Sequence, residues 1–421
     1  MDFSIRVAVE TILNEVRSDG VARNVIVSPA SLDILLRSLA CGAKGPTLDQ
    51  MLDLLGAQGI EDLNSKAAAT MEVLRLAAPE NNPPVVADVD NDDDDDSRPY
   101  RRRRPKYDDE DVPAIVSCGN GIWVDRRFTV KASFGKLLSE IYRAKSSSVD
   151  LQSRPEEAVK EINAWAENST NGRINKVLSP QDIESNTALV LTNALYFKAM
   201  WDGRFFPHCT SNNDFYLLDG TTTVTVPFMR MWEHTYYYAS FDEFKVLKLG
   251  YQSGRSNGSP SFSMYFFLPH KPDGLPEMLD HPLFRSSEAL SQTLGGLEPV
   301  RLKKVRIPKW KFARKFEPTE TMEKLGLTLP FKMTGDLAEM LEEGGELLYV
   351  SKVIQSACIA VDEDGTEAAA VSAVLPGIGA VRCSPSHEKF IADHPFVFMI
   401  VESKSQVVLF AGAVFNPLDH E

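Results

Sequence analysis

The chain has 421 residues, 43% of them hydrophobic, and a formal net charge of −14. It is therefore long enough to bury a sizeable core, and it is too acidic to be a general polyanion-binding protein. No apolar run approaches the 18 residues of a membrane span, and charges interrupt the first 13 residues where a secretory signal would be apolar. These features predict a protein of the cytosol or the nucleus.

The chain begins with a predicted amphipathic helix over Asp2–Val16, whose apolar residues recur at helical spacing. A second helix is predicted near 60–77 and a strand near 115–124. Between them, residues 79–113 contain several prolines, an acidic run, a basic run and a second acidic run. Such a segment buries too little apolar surface to offset the conformational entropy that it would lose on ordering, so we expect a disordered surface insertion.

The basic run of this insertion leaves weak polyanion binding open, although the surrounding acids outnumber the bases. We therefore favour a solvated insertion over a nucleic-acid or heparin site. The arginines concerned are Arg101, Arg102, Arg103 and Arg104.

A further helix is predicted to start after Ser153, which would cap it, with Pro155 in its first turn. Glu156 and Glu157 favour a helix N-terminus, and Asn171-Gly172 should end the helix.

The C-terminal third contains a β-rich run at 353–361, followed by the sequence VDEDGTEAAAVSAVL at 361–375. Pro376 and Gly377 then break helices, and residues 393–415 read as two apolar strands joined by a turn at Glu402–Gln406. A loop of small residues between a sheet strand and a buried hairpin is suited to later insertion into a sheet.

No enzyme motif is evident: HExxH, GxSxG, a P-loop and CxxC are all missing from the sequence. We predict neither catalytic residues nor a cofactor or metal site. The cysteines are odd in number and scattered, as is usual for free thiols in a reducing compartment. They are Cys41, Cys118, Cys209, Cys358 and Cys383.

The segment VDEDGTEAAA resembles the hinge of the reactive-centre loop in the serpin family, and further blocks resemble that family in order along the chain. These blocks lie at 24–47, 189–201, 262–269, 305–312, 393–400 and 408–417, and the phrases WAENSTNGRINKVL, ALYFKAMW and ADHPF are most similar to plant serpins. The resemblance implies an α+β serpin fold of three β-sheets surrounded by about nine helices. It implies a single domain over 1–421 with an exposed loop at 363–390.

The resemblance also implies a monomeric inhibitor, not an enzyme, that acts as a suicide substrate of a serine or cysteine protease. After cleavage, the loop would insert into the central sheet, and small alternate residues on one face, beginning with Thr366, would enter a preformed core. Gly365 would give the turn its conformational freedom. Extracellular release is the family-based alternative to the cytosol. The hinge residues are Glu363, Gly365, Thr366, Glu367, Ala368, Ala369 and Ala370.

Family spacing from Glu363 places the attacked bond at Gly379–Ala380. Arg382 would suit a trypsin-like pocket better, but it lies three residues too far. Glycine offers nothing to a specificity pocket, although a protease that reads Ile378 would not need it. The alternative function is therefore a non-inhibitory binding protein with the serpin fold.

Other positions carry over from the family singly. Ser28, Ser31 and Asn193 match a hydrogen-bonded group under the central sheet, which the family calls the shutter, and Gln355 replaces its usual histidine. Two further residues, Lys309 and Trp201, match positions at the mouth of the sheet, which the family calls the breach. Lys309 matches the lysine that pairs with Glu363. Trp201 matches an aromatic residue of the breach, and plain core packing explains it equally well.

Overall fold

The computed structural model describes residues 2–18, 21–78, 113–231, 233–254, 259–343, 348–366 and 388–420. Within these ranges the chain forms nine α-helices and three β-sheets. This confirms the predicted α+β class. The predicted insertion at 79–113 falls outside the described residues, except for Pro113.

The helices surround the sheets, and the first has the bounds predicted from its apolar spacing. They are α1 (Asp2–Val16), α2 (Pro29–Ala40), α3 (Gly45–Leu55), α4 (Ile60–Leu76), α5 (Ala132–Ile141), α6 (Pro155–Ser169), α7 (Leu275–Leu279), α8 (Ser287–Gly295) and α9 (Thr319–Lys324).

Sheet A has six strands and contains the region of functional interest. Its order is β12 (Trp310–Phe316), β13 (Val350–Val361), β14 (Gly365–Thr366), β4 (Leu189–Met200), β2 (Ile115–Asp125) and β3 (Ala144–Val149).

Sheet B has seven strands, and it includes the predicted C-terminal hairpin, β16 and β17. Its order is β1 (Val25–Val27), β17 (Val408–Val414), β16 (Phe396–Glu402), β9 (Phe262–Pro269), β8 (Phe244–Gly250), β7 (His234–Ser240) and β10 (Glu298–Leu302). Sheet C has four strands, in the order β15 (Lys389–Ile391), β11 (Lys304–Pro308), β6 (Thr223–Met231) and β5 (Ser211–Tyr216).

The β4 strand shows why its sequence reads as a nearly continuous apolar run. Leu191 and Leu195 belong to the large core that includes the inner faces of sheets A and B. Val190 and Ala194 point the other way, into a smaller core beneath α6. Since both faces of the strand are buried, alternation between polar and apolar residues is lost.

The start of α6 differs in one detail from the prediction. Arg154, not Ser153, is the N-cap residue, and its side chain makes no capping hydrogen bond. Pro155 in the first turn fixes the helical φ without a side-chain cap. The predicted end is correct, since Asn171 (φ 51°) and Gly172 (φ 78°) adopt left-handed conformations after the helix.

The block at 305–312 spans two strands that belong to different sheets. β11 ends at Pro308 in sheet C and β12 begins at Trp310 in sheet A, so Lys309 occupies the junction. The Lys309 N–H donates to the carbonyl of Pro227 (2.9 Å), which fixes the backbone there. Its side chain is therefore presented where the two sheets meet.

Candidate functional site

The central seam of sheet A lies between the parallel strands β13 and β4. These strands pair directly from Val350 and Leu189 up to Ala357 and Leu195. Above that point β14 lies between them, and Thr366 pairs with both β13 and β4. The chain after Thr366 thus starts inside an opening at the top of a sheet that is closed below.

A tight turn connects β13 to β14. The Asp362 carboxylate accepts the N–H groups of Asp364 (3.0 Å) and Gly365 (3.2 Å), and the Asp362 N–H donates to the Gly365 carbonyl (3.0 Å). A Cβ on residue 365 would lie only 2.1 Å from the carbonyl oxygen of Ala199. Glycine is therefore required by the close approach of β4. The turn freedom expected from the sequence is not the reason, because the φ angle of Gly365 is not positive.

Thr366 is fully buried, and its hydroxyl lies 2.7 Å from the Tyr251 hydroxyl. The Tyr251 ring in turn stacks on the Trp201 indole with ring centroids 4.5 Å apart. Because strand residues alternate between faces, the core-facing direction of Thr366 sets the direction of any residues that continue β14.

Trp201 holds the hinge in addition to packing in the core. Its indole N–H donates to the carbonyl of Asp362 (3.0 Å), and its backbone N–H donates to the carbonyl of Asp364 (2.9 Å). The side chain is 1% exposed. Trp201 therefore both packs in the core and contacts the hinge, although the sequence analysis treated these roles as alternatives.

Glu363 is anchored by two side chains from different parts of the chain. Lys309 Nζ lies 2.6 Å from Glu363 Oε2, and the Thr210 hydroxyl donates to Oε1 (2.7 Å). Burial alone would raise the pKa of Glu363, but these hydrogen bonds outweigh it and hold the pKa below its usual 4.5. The structure thus brings together the predicted pair of Lys309 and Glu363.

Lower in the seam, a buried polar network joins α2 to the strands β13 and β4. The Gln355 amide accepts the N–H of Ser28 (2.7 Å) and donates to the carbonyl of Ser28 (3.0 Å) and to Asn193 Oδ1 (2.8 Å). Asn193 Nδ2 donates to Asn120 Oδ1 (2.9 Å), and the Ser28 and Ser31 hydroxyls lie 2.8 Å apart. The four predicted residues therefore form one network that glutamine completes.

The comparisons with known proteins agree on one family. The family model described as "Serpin (serine protease inhibitor)" matches residues 4–417. Serpin-Z10 of Arabidopsis thaliana is 37% identical over 403 residues, covering 94% of this chain and 92% of that protein. Serpin-ZXA of Oryza sativa subsp. japonica is 35% identical over 418 residues, covering 99% and 96%.

The chain belongs to the serpin family. The solved structure of Arabidopsis AtSerpin1 in its native stressed conformation agrees with this assignment, at a TM-score of 0.81 and 34% identity over 99% of this chain and 96% of that one. Members of this family are generally protease inhibitors, and the relatives named above are plant serpins.

Part of the predicted site lies outside the described residues. The hinge is described through Thr366, and the next described residue is Glu388. The remaining hinge positions Glu367–Ala370 and the bait residues Gly379 and Ala380 therefore stay predictions. So does the single-domain organisation over 1–421.

Three contributors to this serpin's site were missed by the sequence analysis. Thr210, Tyr251 and Asn120 contact Glu363, Thr366 and Asn193, respectively. Each is far from its partner in sequence and sits in an ordinary strand or loop context. Only the fold brings these residues to the hinge and the seam.

The described cysteines are thiols and not disulfides. Burial raises the pKa of Cys41 above its usual value, and it raises the pKa of Cys118 to about 11. Both thiols are therefore poor nucleophiles at neutral pH. Across the described ranges, no cluster of His, Cys, Asp or Glu side chains could hold a metal ion, and no helix is long and apolar enough to cross a membrane.

Replacing Lys309 with Met should destabilise the protein by about 1 kcal/mol at pH 7, since Glu363 loses a charge-assisted hydrogen bond that solvent partly screens. The lowered pKa of Glu363 makes this contribution fully present above its unfolded value of about 4.5. It is lost as the pH falls through the folded value. Urea unfolding at a series of pH values should show the deficit of Lys309→Met shrinking in acid.

The matched control is Lys311→Met, because Lys311 is exposed on the neighbouring strand β12. It should leave stability unchanged throughout the pH range. The carboxylates on either side of Glu363 shift in the opposite direction, because burial raises the pKa of Asp362 and of Asp364. An equal deficit for Lys309→Met at every pH would contradict the assignment of its effect to Glu363.

Proposed function

We propose that this serpin is a suicide-substrate inhibitor of serine or cysteine proteases. The observation that carries the proposal is the upper seam of sheet A, where β14 already occupies the opening between β13 and β4. The described part of β14 has two residues, and the strands below it are paired directly over seven residue pairs. A longer strand would replace one ladder with two.

The reaction begins with attack of the protease serine or cysteine on the Gly379 carbonyl. The Gly379–Ala380 bond breaks, an acyl ester or thioester forms, and the Ala380 amine leaves with a proton. The inserted strand, residues 366–379, would then span roughly 45 Å at 3.3 Å per residue. Insertion would carry the acylated protease to the far end of sheet A before water could release it.

The hinge contacts support this sequence of events. Thr366 faces the core, so Ala368 and Ala370 would face it too, and their small side chains need little space. Gly365 allows β14 to lie against β4, and Glu363 with Lys309 keeps the turn in place. The start of the inserting strand is therefore preorganised.

The protein should form an adduct that survives SDS denaturation with at least one protease of a panel of elastase-like, trypsin-like and papain-like enzymes. The released C-terminal peptide should begin at Ala380, as determined by mass spectrometry. Pretreating the protease with an active-site inhibitor should abolish the adduct, because the acyl bond needs the free nucleophile.

A non-inhibitory serpin is the second candidate, and Gly379 favours it because glycine gives a specificity pocket no side chain. It would be cleaved in the loop by the same panel without any adduct. A peptide beginning at Ser384 would instead assign the bait to Cys383, and one beginning at Cys383 would assign it to Arg382.

From the sequence we also propose that the protein acts in the cytosol or the nucleus, with extracellular release as the alternative. Arg101–Arg104 provide weak polyanion binding at most, and these residues lie outside the described ranges.

A further inference from the structure

A groove of about 610 Å³ runs between α5 and β3, the strand at one edge of sheet A. Its lining comes from α5, from β3 and from the loop at 126–131 that leads into the helix. It shares no lining residue with the hinge, with the seam or with the polar network around Gln355. The groove is therefore separate from the site described above.

The charge of the groove is opposite to that of the whole chain. Its lining includes Arg126, Lys131 and Lys145 but no Asp or Glu, although the chain has a net charge of −14. Lys131 is paired with Glu339 (3.3 Å). Arg126 and Lys145 are exposed and make no ion pair with a described residue; the Lys145 ammonium lies 5.6 Å from the centroid of the Trp123 ring. Two cations are thus available to an anionic partner.

The backbone of β3 offers hydrogen-bond donors to the same partner. The Val149 carbonyl points toward the β2 side, where it accepts the N–H of Arg126 (2.9 Å). Because successive residues of a strand direct their N–H groups to opposite sides, those of Ser146 and Ser148 face the free edge. Both serines line the groove. An edge strand of this kind favours the addition of a further extended segment.

The insertion between α4 and β2 begins and ends near this groove. The Val116 N–H donates to the Ala77 carbonyl (2.7 Å), so the two ends of the insertion lie together. Arg75 donates to Glu72 near the end of α4 and holds its pKa below the ordinary value, and Arg143, next to β3, adds to this effect. The insertion is therefore tethered beside the start of β3.

Chain length decides which acidic run of the insertion can reach the far end of the groove. β2 has 11 residues, so Arg126 lies about 36 Å from Ile115 at 3.3 Å per residue. The second run, at 108–111, lies at most 7 residues from Ile115 and can reach about 25 Å. The first run, Asp92–Asp96, lies about 20 residues from Ile115 and can reach the whole groove.

We propose that Asp92–Asp96 lie along β3 in this groove, with their carboxylates paired to Arg126 and Lys145. The N–H groups of Ser146 and Ser148 donate to the same run. Repulsion among five adjacent carboxylates favours the extended chain that this placement needs. The contact does not involve the reactive loop, so it can be tested whether or not the protein inhibits a protease.

Hydrogen exchange measured by mass spectrometry on the full chain tests the proposal. Replacing all of Asp92–Asp96 with serine should make exchange in peptides covering 126–131 and 144–149 about tenfold faster at low salt, as expected for the loss of several exposed ion pairs. The natural protein should show the same acceleration in 1 M NaCl, because the screening length falls to about 3 Å.

Two matched controls isolate the run and the groove. Serine in place of the four acids at 108–111 should leave exchange at 126–131 unchanged, because that run cannot reach Arg126. Lys145→Ser should accelerate exchange at 126–131, whereas Lys136→Ser, an exposed residue of α5 outside the lining, should not.

Equal exchange in the natural protein and in the variant without Asp92–Asp96 would overturn the proposal. An equal acceleration from removing either acidic run would also overturn it, because the effect would then come from net charge and not from a seated segment. Protection that disappears on dilution of the natural protein would assign the groove to a second copy of the chain instead.

Discussion

Cutting the chain at Gly379–Ala380 is expected to raise the midpoint of thermal unfolding by about 10 °C or more. The described part of β14 has two residues, and β13 and β4 pair directly lower in the seam. Cleavage frees the N-terminal side of the loop, so that it can continue β14 down the seam and gain hydrogen bonds on both edges.

Insertion breaks the direct β13–β4 ladder and forms one ladder on each edge of the new strand, so backbone hydrogen bonds are gained on balance. The burial of the small alternate side chains adds to this gain. The expected shift requires a surplus on the order of 10 kcal/mol. With an unfolding entropy of roughly 2.1 cal/mol/K per residue, it corresponds to about 10 °C for a chain of 421 residues.

A matched pair of variants separates insertion from cleavage. Ala370 shares the core-facing parity of Thr366, so Ala370→Arg would bury an unpaired charge and stop insertion. Glu367 has the opposite parity and already carries a charge, so Glu367→Arg should insert normally. Scanning calorimetry before and after limited proteolysis should show the rise in the natural protein and in Glu367→Arg, and none in Ala370→Arg.

The adduct should follow the same pattern, since trapping depends on insertion. Ala370→Arg should be cleaved as an ordinary substrate, and Glu367→Arg should still form an SDS-stable adduct. If severing the loop of the natural protein leaves its unfolding midpoint unchanged, the native state stores no conformational energy, and the non-inhibitory alternative holds.

The strands of the seam could be predicted because their own residues favour β-structure. β13 and β4 are long β-rich or apolar runs, and the hinge that follows β13 lies beside it in sequence. Resemblance to the family added the pairing of Lys309 with Glu363, which no local pattern indicates. That pairing depends on Lys309 lying at the junction of two sheets.

The remaining contacts could not be predicted, because each is made between surfaces that only folding brings together. Glycine is required at position 365 because the carbonyl of Ala199, on another strand, leaves no room for a Cβ atom. The sequence analysis had explained this glycine by conformational freedom, which was wrong. Tyr251 reaches Thr366 from the start of a loop after sheet B. The prediction that Ser153 caps α6 was wrong for a local reason. Pro155 fixes the first turn of the helix, so no side-chain cap is needed.

Gln355 is expected to be the single side chain whose loss costs the seam most. It lies directly opposite Asn193 in the pairing of β13 with β4, and its amide joins the two strands and α2. All three groups that it contacts are buried. The strands that must separate for insertion are therefore linked by this amide.

Gln355→Leu should destabilise the protein by about 3–9 kcal/mol, because three buried polar groups lose their partner at about 1–3 kcal/mol each. It should also accelerate heat-induced insertion or polymerisation of the uncut protein, since the link across the seam is gone. Urea unfolding measures the first effect, and native gels after mild heating measure the second. Lys352→Met, on the same strand with a partner outside the seam, should cost less than about 1 kcal/mol.

The isosteric variant Gln355→Glu tests whether the amide donor is what matters. An ionised carboxylate would face the Ser28 carbonyl and Asn193 Oδ1, both acceptors, so its folded pKa should rise above the unfolded value of about 4.3. Its stability should therefore fall as the pH rises through and above that value, whereas Gln355 itself does not titrate. A constant difference between the two proteins from pH 4 to 8 would show that the seam does not depend on the donor. A deficit that grows with pH would make the amide the link that holds the unfilled sheet closed.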